Sequence, residues 1–308
     1  MILGLLACAT PPAQSAPAAE GPKASSAFWA HWGDGKAELS SYDLVQPRYG
    51  ELHPGQAVLI FVTEDFSWSE RVKADPGAHP EADIRKVLKL NENRDFQTGI
   101  YPYHTMTSSF LRLDAGDRMD AFDPLKITFS AQEWCGMVYD ELVMAPTEVH
   151  VTAHTYFDSD TTAPASHAMP KDVVYEDTVP VLVRGLDGAW LAPGATLTVP
   201  WWPAQMAQRF AHQPAALGTA ALGTATVSRA AASAEVTVPF GTFPVDVYTV
   251  AVAGGPTTAW SVESAAPHRI VAWSSSTGEQ GALRGSDRLP YWQLNKPGDV
   301  TERARLGL

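Results

Sequence analysis

Residues 57–66 read AVLIFVTEDF. From Ala57 to Val62 the apolar side chains are consecutive rather than alternate, and several are β-branched or aromatic. A strand built from them presents hydrophobic groups on both faces, so it needs cover on each side and belongs inside a sheet. Working outward, Ala37–Leu44 is a strand candidate upstream, with Gly33-Asp34-Gly35 and Pro54-Gly55 as turn signals around it. Downstream candidates are Ile127–Phe129, Glu148–Phe157, Val173–Arg184, Thr196–Trp202, Ala234–Phe240 and Val245–Val252. Ala259–Glu263, His268–Ser274 and Glu279–Leu283 follow, joined by Gly254-Gly255-Pro256 and Ser276-Thr277-Gly278. From Ala234 onward the pattern is a consecutive antiparallel meander.

The expected fold is mainly β: an antiparallel curved sheet, barrel-like or a sandwich, with few short helices. Ala82–Leu90 (ADIRKVLKL) suits either a helix or a strand, and Ala204–Ala211 suits a short helix after Pro203. Residues 204–234 hold 12 alanines among scattered Gly and Thr and read as a low-complexity insertion or long loop. The expected organisation is a first β half over 27–160 and a second over 161–308, with the Ala-rich insertion at 203–234. HPGQAVLIFV (53–62) and APGATLTVPW (192–201) share a Pro-Gly pair leading into a strand, an echo that common turn chemistry explains.

The N-terminus, MILGLLAC over residues 1–8, gives way to a Pro/Ala/Ser-rich stretch from Ala9 to Ser26 that has no core-forming pattern. Leu5-Leu6-Ala7-Cys8 resembles the lipobox of bacterial lipoproteins. The resemblance implies that residues 1–7 are a signal-peptide remnant. Cys8 would be acylated on its sulfur and amine, with 8–26 a flexible tether. Ala9 after the cysteine points, in that family, to the outer membrane facing the periplasm. The apolar run is shorter than the roughly 7–15 residues of a signal h-region and no basic residue precedes it. A disordered N-terminus with an incidental cysteine is the other reading.

The chain has 308 residues, 45% of them apolar, enough for a substantial core. Charged residues make up 18%, and the net charge of −12 with a pI near 5.1 disfavours nucleic-acid partners, whose phosphates demand a basic face. No apolar run is long enough for a membrane-spanning helix. With Cys8 lipidated, Cys135 is the remaining thiol, and in an oxidising compartment a lone cysteine is safest buried. No Walker loop, G-x-G-x-x-G or G-x-S-x-G is present, and no cofactor is expected.

Three constellations invite chemistry. His150 and His154 would share one face of a helix, but EVHVTAHTYF alternates with period two, and four strand residues separate the rings by about 13 Å. No metal site is expected there. Cys135 in QEWCGMVYDEL, with His104 as base, is a candidate thiol nucleophile, though Trp134 and Met137 suggest packing instead. Glu133 with Asp140, or Glu64 with Asp65, are candidate acid pairs for glycoside hydrolysis. These support the alternative function of an extracytoplasmic hydrolase.

Aromatic residues say more. Ten Trp and nine Tyr are many for a chain so poor in charge. Trp32, Tyr101, Tyr103, Trp201, Trp202, Tyr291 and Trp292 lie beside Gly, Pro or expected loop boundaries, as does Trp29. Such rings stack on sugars, line an acyl-binding cavity, or plug the ends of a barrel.

Four longer stretches, WAHWGDGKAELSSYDLVQPRYGE (29–51), KLNENRDFQTGIYPYHTMTSSF (89–110), SAQEWCGMVYDEL (130–142) and RLPYWQLNKPGD (288–299), are similar to a family of uncharacterised bacterial envelope lipoproteins with β-rich domains. Some relatives carry the label septum formation inhibitor. The label is a transferred one: the nucleotide pyrophosphatases it belongs to are cytoplasmic α/β proteins with a basic phosphate-binding loop where this chain has a lipobox and tether, so it is not adopted. The resemblance implies a lipid-anchored envelope protein. Its expected work is non-catalytic binding of a lipid, a glycan or an envelope partner.

Overall fold

The computed structural model describes residues 24–158, 163–185, 188–212 and 222–308. The proposed lipidation residue Cys8, the segment 1–23 and the middle of the Ala-rich stretch lie outside the described residues. The architecture is one large, mainly antiparallel sheet with few short helices.

Twelve strands follow the first helix, α1 (Ser26–Trp32), up to the last meander: β1 (Ala37–Arg48), β2 (Glu51–Ser67), β3 (Ile84–Thr98), β4 (Tyr101–Arg112), β5 (Pro124–Glu133), β6 (Gly136–Ala145), β7 (Glu148–Thr155), β8 (Ala165–Ala168), β9 (Val174–Tyr175), β10 (Thr196–Trp202), β11 (Gly223–Arg229) and β12 (Ala234–Val238). The chain finishes with β13 (Gly241–Val252), β14 (Thr257–Glu263), β15 (Ile270–Ser275) and β16 (Gln280–Leu289). Helices α2 (Val179–Leu182) and α3 (Gln205–Phe210) lie between β9 and β11. Spatial order is β8-β7-β6-β5-β4-β3-β2-β1-β16-β15-β14-β13-β11-β10-β9, with β12 pairing β13 beside that path.

Two arms of consecutive strands thus meet where β1 pairs β16, from Ala37↔Leu289 to Val45↔Gln280. The free ends are short, four residues in β8 and two in β9, which leaves little unpaired edge. The sheet curls until these ends touch through side chains: His167 of β8 lies edge-on to Trp202 of β10 at 5.5 Å. Inside the curl, Tyr42, Leu59, Phe61 and Leu90 from one arm pack with Trp201, Val227, Trp260 and Trp273 from the other.

The double cover required by AVLIFVTEDF is present. Ala57, Leu59 and Phe61 face the main core, while Ile60 and Val62 pack under Leu289 and Leu306 on the outer side. That outer cover comes from the C-terminal 3-10 segments Tyr291–Gln293 and Pro297–Leu306, and the Ser41 hydroxyl donates to the Leu306 carbonyl.

Three local expectations need correction, and a fourth that was left open is decided. The first β half was expected to begin at residue 27, but residues 26–32 form α1. Ser25 Oγ caps it by accepting from Ala27 N–H, and Phe28 and Trp32, one turn apart, bury together. Pro54-Gly55 is strand rather than turn: the hairpin falls at Tyr49-Gly50, where both residues take positive φ (55° and 80°). Gly55 instead permits close approach to β3, since a Cβ there would lie 2.5 Å from the Asp95 carbonyl oxygen. The Ala-rich stretch holds a strand, β11, because Ala225 and Val227 alternate with polar residues and enter the main core. Ala82–Leu90 resolves as a short 3-10 turn and the start of β3.

Candidate ligand-binding site

Strand direction puts the β1–β2, β3–β4 and β5–β6 hairpin tips at one end of the curled sheet, the mouth. Helix α1 sits at the start of β1, the opposite end. Between the tips lies a cavity of about 320 Å³, lined by Arg48, Tyr103, Glu133, Val138, Phe157 and Phe210 among others. Its floor is α3, fixed to the wall by a buried ion pair: Arg209 Nε donates to Asp140 Oδ2 at 2.6 Å, and Arg209 Nη2 to Oδ1.

Aromatic rings order the mouth. Tyr103 stacks on Phe96 at 5.1 Å with planes 3° apart, and Phe210 lies edge-on to both. The Tyr49 and Tyr103 hydroxyls are 2.6 Å apart, and the Tyr101 hydroxyl donates to Tyr49 at 3.4 Å. The Arg48 guanidinium joins them, donating to the Tyr49 and Tyr103 hydroxyls (both 3.4 Å) and to the Phe210 carbonyl (3.1 Å). It also lies over the Tyr49 and Phe210 rings at 4.2 Å each.

Behind α3 is a smaller cavity of about 130 Å³ with several charged residues in its wall. Arg94 is its hub, paired with Glu92 (2.7 Å) and Glu279 (3.0 Å) and donating to Gln46 Oε1 (2.8 Å). Glu176 accepts from Ala204 N–H (3.0 Å) and Trp201 Nε1 (3.3 Å), and Asp177 from Gln205 N–H (3.2 Å), so adjacent carboxyls hold the start of α3. Burial pushes the Glu176 carboxyl up and the Asp177 carboxyl up to about 8, with Glu176 and Glu92 nearby adding to the rise in Asp177.

The predicted aromatic set separates into three groups. Trp32 and Trp201 belong to the main core, and Trp202 packs with Tyr175 and His167 in a second cluster, so all three fill the interior. Tyr291 and Trp292 lie on the outer face in the C-terminal cover, and Trp29 is half-exposed on α1. Tyr103 lines the mouth cavity and Tyr101 reaches it through Tyr49. Sequence reasoning missed Arg48, Tyr49, Phe157 and Phe210. Arg48-Tyr49-Gly50 carried a usable signal, an arginine and a tyrosine at a glycine turn.

Cys135 was expected to be buried; it is exposed in the β5–β6 turn. Its neighbour Glu133 raises the thiol pKa, which opposes the thiolate a nucleophile requires. His104 is engaged with Asp95 on the exposed face of β3 and β4. Glu133 accepts from Cys135 N–H at 2.6 Å while Asp140 is held by Arg209. Glu64 pairs with Lys89 and Lys73, and Asp65 with Lys86. On β7, His150 bonds Ser166 and Glu148, whereas His154 stacks on Tyr139.

No family model matches this sequence, and no curated protein matches it. Among solved structures, the chain is similar to the crystal structure of a β-barrel-like protein of domain of unknown function DUF1849 from Brucella abortus. The TM-score is 0.46 at 10% identity, over 82% of this chain and 98% of that one.

Proposed function

We propose that this chain is a lipid-anchored cell-envelope protein that holds an amphipathic, lipid-like ligand in the mouth of its curled sheet and carries out no catalysis there. The observation that carries the reading is the mouth cavity of about 320 Å³, with Tyr103, Phe157, Phe210 and Val138 as walls and Arg48 among them. That volume is at the lower end of the roughly 300–1,000 Å³ of small-molecule sites, and apolar walls with few polar groups are their usual composition. A curled sheet suits such work because closure removes edges while leaving an interior to occupy. A glycan is served less well, since the wall offers more apolar surface than paired donors and acceptors.

The anchor rests on Leu5-Leu6-Ala7-Cys8 and the Pro/Ala/Ser-rich stretch after it. Because α1 stands at the end of the sheet away from Arg48, a lipid at residue 8 joins the body far from the mouth. In this reading the protein sits on the outer membrane, facing the periplasm. Cys8→Ser should move it from the membrane pellet to the soluble fraction of lysed cells; retention in the pellet contradicts the anchor. Organic extraction of purified protein, read by mass spectrometry, tests the ligand.

A further inference from the structure

We infer that the mouth cavity selects a ligand with a single anionic head on an apolar body, and that Arg48 holds the head. This deepens the binding reading above and rests on it. The reason lies in how the fold treats its arginines. Arg94, Arg184 and Arg209 are buried, and each is matched by carboxylates: Glu92 and Glu279, Glu38, and Asp140. Arg48 is different. Its hydrogen bonds run to two phenol oxygens and a backbone carbonyl, all neutral. Its Nε is buried and has no acceptor among the described residues.

Arg48 is only partly buried, but its Nε is cut off from water, and a buried donor without an acceptor is costly in a way that neighbouring rings offset only in part. An anion entering the cavity supplies both the missing charge and an acceptor for a fork of N–H groups. Ala131, Val138, Phe157 and Phe210 then offer apolar surface to the rest of the molecule. Glu133 is the one carboxylate lining the cavity among the described residues, and Cys135 N–H already engages it. Its charge repels a second anionic group, which limits the ligand to one. Arg209 also lines the site, but Asp140 neutralises it.

The test uses full-length protein, calorimetry, and two probes of equal length, decanoate and decan-1-ol. Decanoate should bind at least tenfold more tightly, with affinity rising about fourfold per methylene from octanoate onward. Arg48→Gln should erase the preference of decanoate over decan-1-ol. Arg48→Lys, which keeps the charge and loses the fork, should retain part of the preference and serves if the glutamine variant fails to fold. Equal binding of the two probes overturns the anionic head but leaves the cavity a binding site. A preference that survives Arg48→Gln puts the head elsewhere and also overturns the inference. Absence of binding by either probe removes the binding reading and this inference with it.

Discussion

Replacing Arg184 by methionine should lower the unfolding free energy by about 3–5 kcal/mol, the cost of leaving a buried charge unpaired. Arg184 follows α2 and is 2% exposed, as is its partner Glu38 on β1. The pair is bidentate, Nη1 to Oε1 at 2.7 Å and Nη2 to Oε2 at 3.0 Å. The same guanidinium donates to the His268 and Pro267 carbonyls and lies over Phe61 at 4.4 Å. It therefore ties three separate chain segments into one packing unit. Urea unfolding measures the loss, and the double variant Glu38→Gln/Arg184→Met should recover about half of it, because no lone charge remains.

The pH dependence carries a sign that separates this explanation from simple loss of packing. Burial alone would raise the Glu38 pKa, but Arg184, with help from His31, holds it at about 2, below its ordinary 4.5. A depressed carboxyl contributes stability that is present above 4.5 and disappears as pH falls toward about 2. In Arg184→Met burial acts unopposed by the guanidinium, so the slope should reverse and acid should stabilise the variant. Parallel pH curves for the two proteins would contradict the ion-pair account.

Asp177→Asn should produce the opposite outcome, a gain at alkaline pH. The Asp177 carboxyl is raised from 3.8 to about 8, so the folded protein keeps a proton that the unfolded chain releases. Stability from that proton is complete below 3.8 and is lost as pH rises through about 8. By pH ~9 the loss is on the order of 5 kcal/mol. Asparagine carries no charge and keeps an acceptor for the Gln205 N–H, so the variant should be flat across that window. Urea unfolding at pH ~5, ~7 and ~9 resolves the difference. If both proteins fall together, the sensitivity belongs to another group, with Glu176, also raised by burial, the first to examine.

The fold was readable where burial acts on side chains in register. AVLIFVTEDF demanded cover on two faces, and the strand spacing from Ala234 onward prescribed a meander. What escaped was contingent on distant partners. Residues 26–32 look strand-like until Phe28 and Trp32 find the core, and Pro54-Gly55 looks like a turn until β3 closes over Gly55. Within the Ala-rich segment the alternation of Ala225 and Val227 with polar residues is short and one of its two core side chains is a mere alanine, so β11 shows itself once β10 and β13 pair on either side.

The site was harder to read for a similar reason. Aromatic content pointed to the right residue type without saying which rings face a cavity. Trp201 and Trp202 adjoin Pro203, yet they are fully buried, while Tyr103 on β4 lines the opening. Arg48 becomes conspicuous once the buried Arg94, Arg184 and Arg209 are each seen with a carboxylate that lies far off in the sequence. Cys135 shows the reverse error: its flanking Trp134 and Met137 suggested packing, but all three are exposed around a hairpin tip.

Mass spectrometry of the organic extract from purified full-length protein tests the central claim most directly. Wild-type protein should release an amphiphile in near-stoichiometric amount, and Ala131→Phe, which fills the cavity wall, should release far less while unfolding at a similar temperature. An empty wild-type extract, or equal recovery from the filled variant, would contradict a protein that works by holding a molecule in its mouth.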